Sequence, residues 1–200
     1  ASKDPFKRGH RVLKSLAADN YRGEIIPVNP RESEILGFKC YPTLADAPQE
    51  IDLAIVCTAA PTAPEMIDNC GRKGVKGAML LAGGFSEASE AGRVLEEKTL
   101  AIARRHGVRL IGPNTAGLFS ARRSCNAFGR PDIPRGTLAL LSNSANVLRS
   151  LETEVRFHGH SGISAMLSVG NQADILFHEY LECFGSDPDT QAIISFVEGF

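Results

Sequence analysis

Several features that would assign a protein quickly are missing from this sequence. Its five cysteines (Cys40, Cys57, Cys70, Cys125 and Cys183) are odd in number and include no Cys-x-x-Cys spacing. That argues against a disulfide framework or a zinc ribbon and favours reduced thiols. Cys57 lies in an apolar run, where a small buried hydrophobe is the ordinary reading. No apolar run is long enough to span a bilayer and no signal-peptide pattern is read, so a cytoplasmic protein without a membrane partner is expected. An excess of charge of one sign is also lacking: 22 Lys plus Arg stand against 23 Asp plus Glu, for a formal net charge of −1. The basic residues are scattered rather than interleaved with aromatics, which argues against a nucleic-acid partner. His158-Gly159-His160 has no neighbours to complete a ligand set, so it reads as a solvated turn and no metal is expected.

What is present is alternation. Two hundred residues suit one large domain or two small ones, enough for a real core. Asp4-Pro5 predicts a helix start running to about Asn20, with Val12, Leu13, Leu16 and Ala17 on one buried face. A helix opening so early predicts a β-strand before Ala1 and a chain that is a piece of a longer one. Strands are then expected at Glu24 to Asn29, Asp52 to Thr58, Gly77 to Leu81 and Leu110-Ile111, with helices over Ala63 to Lys73 and from the Gly83 loop to His106. The near-continuous apolar character of DLAIVCT is that of a parallel strand covered on both faces. Strands alternating with helices imply a doubly wound parallel sheet with right-handed crossovers. Residues 120 to 135 lack helical periodicity and hold two prolines, the pattern of a linker with a short extended piece near Asn126 to Phe128. The alternation restarts with a strand at Thr137 to Leu141, a helix at Ala145 to Arg156, a strand at Ser164 to Ser168, a helix at Ile175 to Phe184 and a strand at Ala192 to Phe196.

In a parallel sheet the loops after the strands converge on one edge. Here these are Ser2 to Pro5, Asn29 to Arg31, Thr58 to Pro61 (with Ala60), Gly83 to Glu87 (with Gly84 and Phe85) and Gly112 to Asn114. Each alone is an ordinary turn. Together, with helix N-termini beside them, they suit a nucleotide-like ligand carrying phosphate. Gly83 and Gly84 allow close backbone approach, and Arg31 with Lys3 or Lys7 could meet a further phosphate. The tip of the second strand reads Val28-Asn29-Pro30-Arg31, without the acid that holds ribose hydroxyls, and no full G-x-G-x-x-G is present. NAD is therefore disfavoured. The serine-rich step Ser142-Asn143-Ser144-Ala145 has three readings: a helix cap, an anion site, or a nucleophile, the last lacking the glycines of G-x-S-x-G. Glu198 ends a strand read as buried (IISFVEG), where a carboxylate is costly unless partnered; a functional acid and a plain strand-end acid are both open readings.

The fragments ASKDP, KRGHRVLKSL, GEIIPVNPRESEILGFKCYPTL, DLAIVCTAAP, GGFSE, RLIGPNTAG, SVGNQADI and DPDTQAIISFVEG occur in this order. In that order they resemble the NDP-forming acyl-CoA synthetases, relatives of the succinyl-CoA synthetase α subunit, over essentially the whole chain. The resemblance implies an α/β protein with a Rossmann-like CoA-binding domain (1–120), a linker (121–136) and part of a flavodoxin-like CoA-ligase domain (137–200). It implies coenzyme A lying along Ser2, Lys3, Asp4, Pro5, Arg31, Thr58, Ala60, Pro61, Gly83, Gly84 and Phe85, with Asn114 toward the thiol. Acyl-CoA would be made from a small carboxylic acid, CoA and ATP through acyl phosphate and a phosphohistidine. Ser142, Asn143, Ser144 and Glu198 match the positions that support that histidine, although Ala145 stands where the family usually has glycine. The phosphorylated histidine matches none of the five present, so it, ATP/ADP with Mg, and an ATP-grasp domain or β subunit would come from outside these residues. A CoA-binding regulatory region joined to a lysine acetyltransferase is the alternative. Apolar surface on an unfinished second unit implies assembly with further chain or a second copy.

Overall fold

The computed structural model describes residues 1–159 and 161–198; His160 of the His-Gly-His motif lies outside them. In chain order the elements are α1 (Arg8–Ala18), β1 (Glu34–Ile35), β2 (Phe38–Lys39), β3 (Leu53–Val56), α2 (Ala63–Lys73), β4 (Gly77–Leu80), α3 (Glu90–His106), β5 (Arg109–Ile111), β6 (Leu118–Ser120), β7 (Cys125–Asn126), β8 (Arg135–Ser142), α4 (Ala145–His158), β9 (Ile163–Ser168), α5 (Phe177–Gly185) and β10 (Ala192–Phe196). No helix among the described residues is long and apolar enough to cross a membrane.

The first sheet is parallel, in the order β3-β4-β5. Residues of β4 and the position after it alternate between its two faces, as a pleated strand requires. Ala78 and Leu80 pack with Ile67 of α2 and Ala103 of α3, whereas Met79 and Leu81 pack with Val12 and Leu16 of α1. Helices on both faces make the sheet doubly wound, as the alternation predicts. The second sheet runs β10-β8-β9-β6-β7, with β10, β8 and β9 parallel and β6 and β7 antiparallel. Leu140 and Met166 face Leu148 of α4; their neighbours Leu141 and Leu167 face Phe177 and Tyr180 of α5. Ile111 and Leu118 join this last cluster, so the apolar packing is continuous from β5 into the second sheet.

Four expectations need correction. Asp4-Pro5 does not open the helix. Asp4 Oδ1 accepts the Phe6 N–H (2.9 Å) and closes a turn, and α1 begins only at Arg8. Glu24 to Asn29 forms a single parallel bridge, Val28 to Tyr41, instead of a strand; Pro27 supplies a carbonyl to Tyr41 but has no N–H to give back. The 31–39 stretch read as loop contains the β1–β2 hairpin. Among the described residues the β10 strand, read as buried, forms the edge of its sheet, with Ile194 and Phe196 both 42% exposed and Glu198 exposed. An apolar parallel strand carries the same pattern whether it lies at the centre or the edge of a sheet. Within the stretch read as linker, β7 pairs with β6, and β6 with β9.

Candidate functional site

The candidate loops gather at the carboxyl ends of the strands, in three connected groups. In the first, the N-terminal loop meets the turn after Val28. The Ala1 ammonium donates to Val28 O (2.9 Å), Asn29 Nδ2 donates to Ala1 O (2.9 Å), and Lys3 Nζ pairs with Glu32 (2.6 Å). Ser2 Oγ accepts the Asp4 N–H (3.1 Å), and Asn29 Oδ1 accepts the Arg31 N–H (2.9 Å). Two polar residues thus shape adjacent turns, leaving the side chains of Lys3 and Arg31 exposed.

The second group surrounds the Gly-Pro-Asn turn after β5. Gly112 has φ +94 and a Cβ there would lie 3.0 Å from Leu80 O, so only glycine fits without strain. Asn114 sits at φ +58, a conformation its short polar side chain tolerates, and its N–H donates to Ala82 O (2.9 Å). Gly83 lies so close that a Cβ on it would be 3.1 Å from Asn114 Oδ1; one on Gly84 would touch Ala60, at 3.5 Å, bringing in the turn that holds Thr58 and Pro61. The amides of this glycine loop already have an anion. Glu87 Oε1 accepts the Gly84 N–H (2.6 Å), and both Glu87 oxygens lie 3.2–3.3 Å from the Phe85 N–H. A phosphate approaching Gly84 would have to displace this carboxylate.

The third group belongs to the second sheet. Ser144 is the N-cap of α4, its Oγ accepting the Val147 N–H (3.4 Å), and Ser142 Oγ accepts the Ser144 N–H (2.9 Å). The helix-cap reading of this step is therefore the one its hydrogen bonds display. Asn143 Oδ1 accepts the Glu198 N–H (3.0 Å), bringing the end of β10 to the start of α4.

The loop after β9 ties the second and third groups together. Val169 N–H donates to Ser142 O (2.9 Å) and Asn171 N–H to Pro113 O (2.9 Å); Ala173 and Ile175 continue along β5 through Gly112 O and Leu110 O. The Thr115 hydroxyl donates to Ser168 O. Arg109 pairs with Asp174 (3.0 Å) and Glu179 (2.9 Å), and Asp174 also accepts the Leu110 N–H. The Asn171 amide reaches Glu87 and Glu96 (2.8 Å to the latter), with Asn114 at 3.4 Å. Sequence reading assigned no side-chain role to Asn171, Glu96 or Asp174, and named Glu87 only as the end of the glycine loop. For Asn171 and Asp174 the signal was SVGNQADI, a polar run directly after an apolar strand, and for Glu87 it was its place in GGFSE.

Burial works against charge on Glu87, but hydrogen bonds from Asn171 and from the Gly84 and Phe85 amides outweigh it and hold the carboxyl below its ordinary value of 4.5. A depressed carboxylate stabilises the fold above the unfolded-state value, and that contribution is lost as pH falls through the lower folded value. The stability difference between the wild type and Glu87→Gln should therefore be constant near neutrality and shrink below about pH 4.5. Urea titrations across pH 3 to 7 measure it; a difference that persists unchanged at the acid end would contradict the assignment.

Comparison with known proteins identifies both parts of the chain. The family model of the CoA binding domain matches residues 1–120, and that of the succinyl-CoA ligase like flavodoxin domain matches residues 135–200. The acetate–CoA ligase (ADP-forming) of Methanocaldococcus jannaschii is 36% identical over 200 residues, covering 100% of this chain and 28% of that protein. Subunit alpha of the acetate–CoA ligase (ADP-forming) I of Pyrococcus furiosus is 38% identical over 204 residues, covering 100% of this chain and 44% of its own length. The solved structure of Ca. Korarchaeum cryptofilum dinucleotide forming acetyl-coenzyme A synthetase 1, in complex with phosphate and ADP, has a TM-score of 0.95 at 36% identity, covering 100% of this chain and 43% of that one. The chain thus spans less than half the length of each of these relatives. It belongs to the CoA-binding domain family, in the form that the NDP-forming acyl-CoA synthetases carry ahead of their succinyl-CoA ligase-like flavodoxin domain.

Proposed function

We propose that the chain is the CoA-binding region of an NDP-forming acyl-CoA synthetase, which makes acyl-CoA from a small carboxylic acid, CoA and ATP through acyl phosphate and a phosphohistidine. The observation that carries this reading is the joining of strand ends from both sheets through the contact between the Gly-Pro-Asn turn and Asn171. A ligand anchored on the first sheet can there reach chemistry at the second. In this reading the CoA phosphates lie along Ser2 to Pro5 and Arg31, the chain of the ligand passes Thr58 to Pro61 and Gly83 to Phe85, and the thiol ends near Asn114. The α4 start at Ser142 to Ser144, with Glu198 tethered to it, faces the phosphohistidine. The two units divide near residue 120, with β6 and β7 pairing into the second sheet, and the protein works in the cytoplasm. The exposed Ile194 and Phe196 on the β10 edge support packing against an ATP-grasp domain, a β subunit or a second copy.

Calorimetry with CoA, dephospho-CoA and NADH tests this. CoA should bind at one site, and both dephospho-CoA and the Arg31→Ala variant should weaken binding about tenfold, the loss of one charge-assisted contact of roughly 1.5 kcal/mol. Binding of NADH without CoA would overturn the reading.

A further inference from the structure

The side-chain amide of Asn171 has its orientation fixed by its neighbours. Its Nδ2 faces three oxygens: a Glu87 carboxylate oxygen, Glu96 Oε2 at 2.8 Å and Ser86 Oγ at 3.2 Å. Glu96 Oε2 also accepts from the Ser86 hydroxyl (2.9 Å) and the Ser86 N–H (3.4 Å), so the Ser86 proton is already given away. Hydrogen bonds hold the Glu87 carboxyl below its ordinary value, and an ionised carboxylate accepts only. Turning the Asn171 amide over would set its carbonyl oxygen against two carboxylates and lose both charge-assisted hydrogen bonds. The amide therefore has one orientation.

That orientation propagates to the Gly-Pro-Asn turn. With Nδ2 on the carboxylates, Asn171 turns Oδ1 to Asn114, whose Nδ2 stands 3.4 Å away. The flipped form of Asn114 would oppose two carbonyl oxygens, so Asn114 presents its nitrogen to Asn171. Its own Oδ1 then faces Gly83, where a Cβ would lie 3.1 Å from it. Asn114 and Gly83 are both exposed, and among the described residues Asn114 Oδ1 accepts no hydrogen bond. The charged groups around the pair are Glu87 and Glu96, Arg8 of α1 on Thr115 O (3.1 Å), and Arg109 with Asp174 further along β5.

We propose that Asn171 is a positioning residue that acts through Asn114: anchored on Glu87 and Glu96, it keeps the Asn114 carbonyl oxygen, and not its amide nitrogen, turned to the ligand, where it accepts the S–H of a thiol. The inference rests on the reading that ends the CoA thiol near Asn114, and adds which atom meets the sulfur. An acceptor favours the protonated thiol, whereas a donor would favour the thiolate. Once acylated, the sulfur has no proton to give, so the same contact tells the free thiol from its product.

Calorimetry with CoA and S-methyl-CoA, a thioether that keeps the sulfur and lacks its proton, tests this at pH 7. An acyl-CoA product carries a larger group on the same sulfur, so the methyl fits. The wild type should bind CoA about fivefold tighter than S-methyl-CoA, the equivalent of one hydrogen bond of about 1 kcal/mol. Asn114→Ala and Asn171→Ala should each bring that ratio below about twofold. Asn171→Ala retains the main-chain bond from its N–H to Pro113 O (2.9 Å), so the loop keeps its place. A second arm needs no variant. In the wild type the ratio should fall about fourfold at one pH unit above the pKa of the free CoA thiol, titrated in the same buffer, because binding then requires proton uptake. S-methyl-CoA cancels the titration of the protein's own groups. Equal weakening of both ligands by Asn171→Ala, with the ratio kept, would show a structural role and defeat the proposal. A wild-type ratio near one, or one that rises with pH, would defeat it too and leave CoA binding standing. If neither ligand binds, the CoA reading falls and this inference with it.

Discussion

Replacing Glu152 with alanine should destabilise the protein by about 3 kcal/mol, at the lower end of the 3–5 kcal/mol seen when one partner of a buried ion pair is removed. Glu152 is fully buried on α4 and touches two cations. Its Oε1 accepts from Arg156 Nε (2.9 Å) and Nη2 (2.6 Å), and Oε2 lies 2.6 Å from Arg130 Nε at an angle that falls short of a hydrogen bond. Alanine would leave a cavity beside Leu148 and two guanidiniums without their carboxylate. The lower end is expected because the Arg156 and Arg130 side chains, 26% and 36% exposed, can turn toward water. At roughly 2–4 °C per kcal/mol for a chain of this size, the melting temperature should fall by about 10 °C. Glu152→Gln, which keeps the shape and one acceptor, should cost about half as much. A melting temperature within 2 °C of the wild type for the alanine variant would show that the two arginines do not depend on this carboxylate.

Gly170→Ala should be comparably damaging for a steric reason. Gly170 has φ +64, and a Cβ there would sit 2.0 Å from Pro113 O and 3.0 Å from Asn114 C, all backbone. The left-handed conformation alone costs an alanine about 1 kcal/mol. The overlap then forces the loop after β9 away from the Gly-Pro-Asn turn, taking with it the Asn171 N–H to Pro113 O bond and the Asn171 side-chain contacts. A total loss of about 3 kcal/mol is expected by urea unfolding, together with weaker CoA binding because Asn114 is displaced. Gly185→Ala is the control: a Cβ at that position meets nothing within 4 Å, and alanine at the end of α5 should be neutral or stabilising by up to about 1 kcal/mol. Equal stabilities for Gly170→Ala and Gly185→Ala would refute the packing argument.

Much of this architecture is written locally. The apolar runs at 53–56, 77–80, 138–141 and 163–168 form strands, and the periodic segments at 63–73, 90–106 and 145–158 form helices. Each pattern records which faces a segment must bury. Once β3, β4 and β5 were read as parallel, their following loops had to share one edge, so the gathering of Thr58, Gly83 and Asn114 followed from the sequence. Local pattern failed where pairing alone decides. Two-residue strands such as β1, β2 and β7 carry too few residues for a periodicity, and β6 joins β9 across more than 40 residues of chain. Asp4 illustrates a competition between motifs, since the side chain that can cap a helix can equally close a turn two residues on.

The sequence by itself determined the fold class, the parallel first sheet, the edge on which its loops meet and the family. The reason is that burial of alternating apolar faces is a short-range code, and seven or more fragments in one order leave little freedom. Tertiary structure alone decided that Glu87 already fills the glycine loop, that Asn171 touches Asn114 from 57 residues away, and that four arginines from α1, α4 and the turn after β7 share one cleft. Those contacts depend on how one sheet is set against the other, and the polar side chains that make them carry no periodicity that would announce their partners.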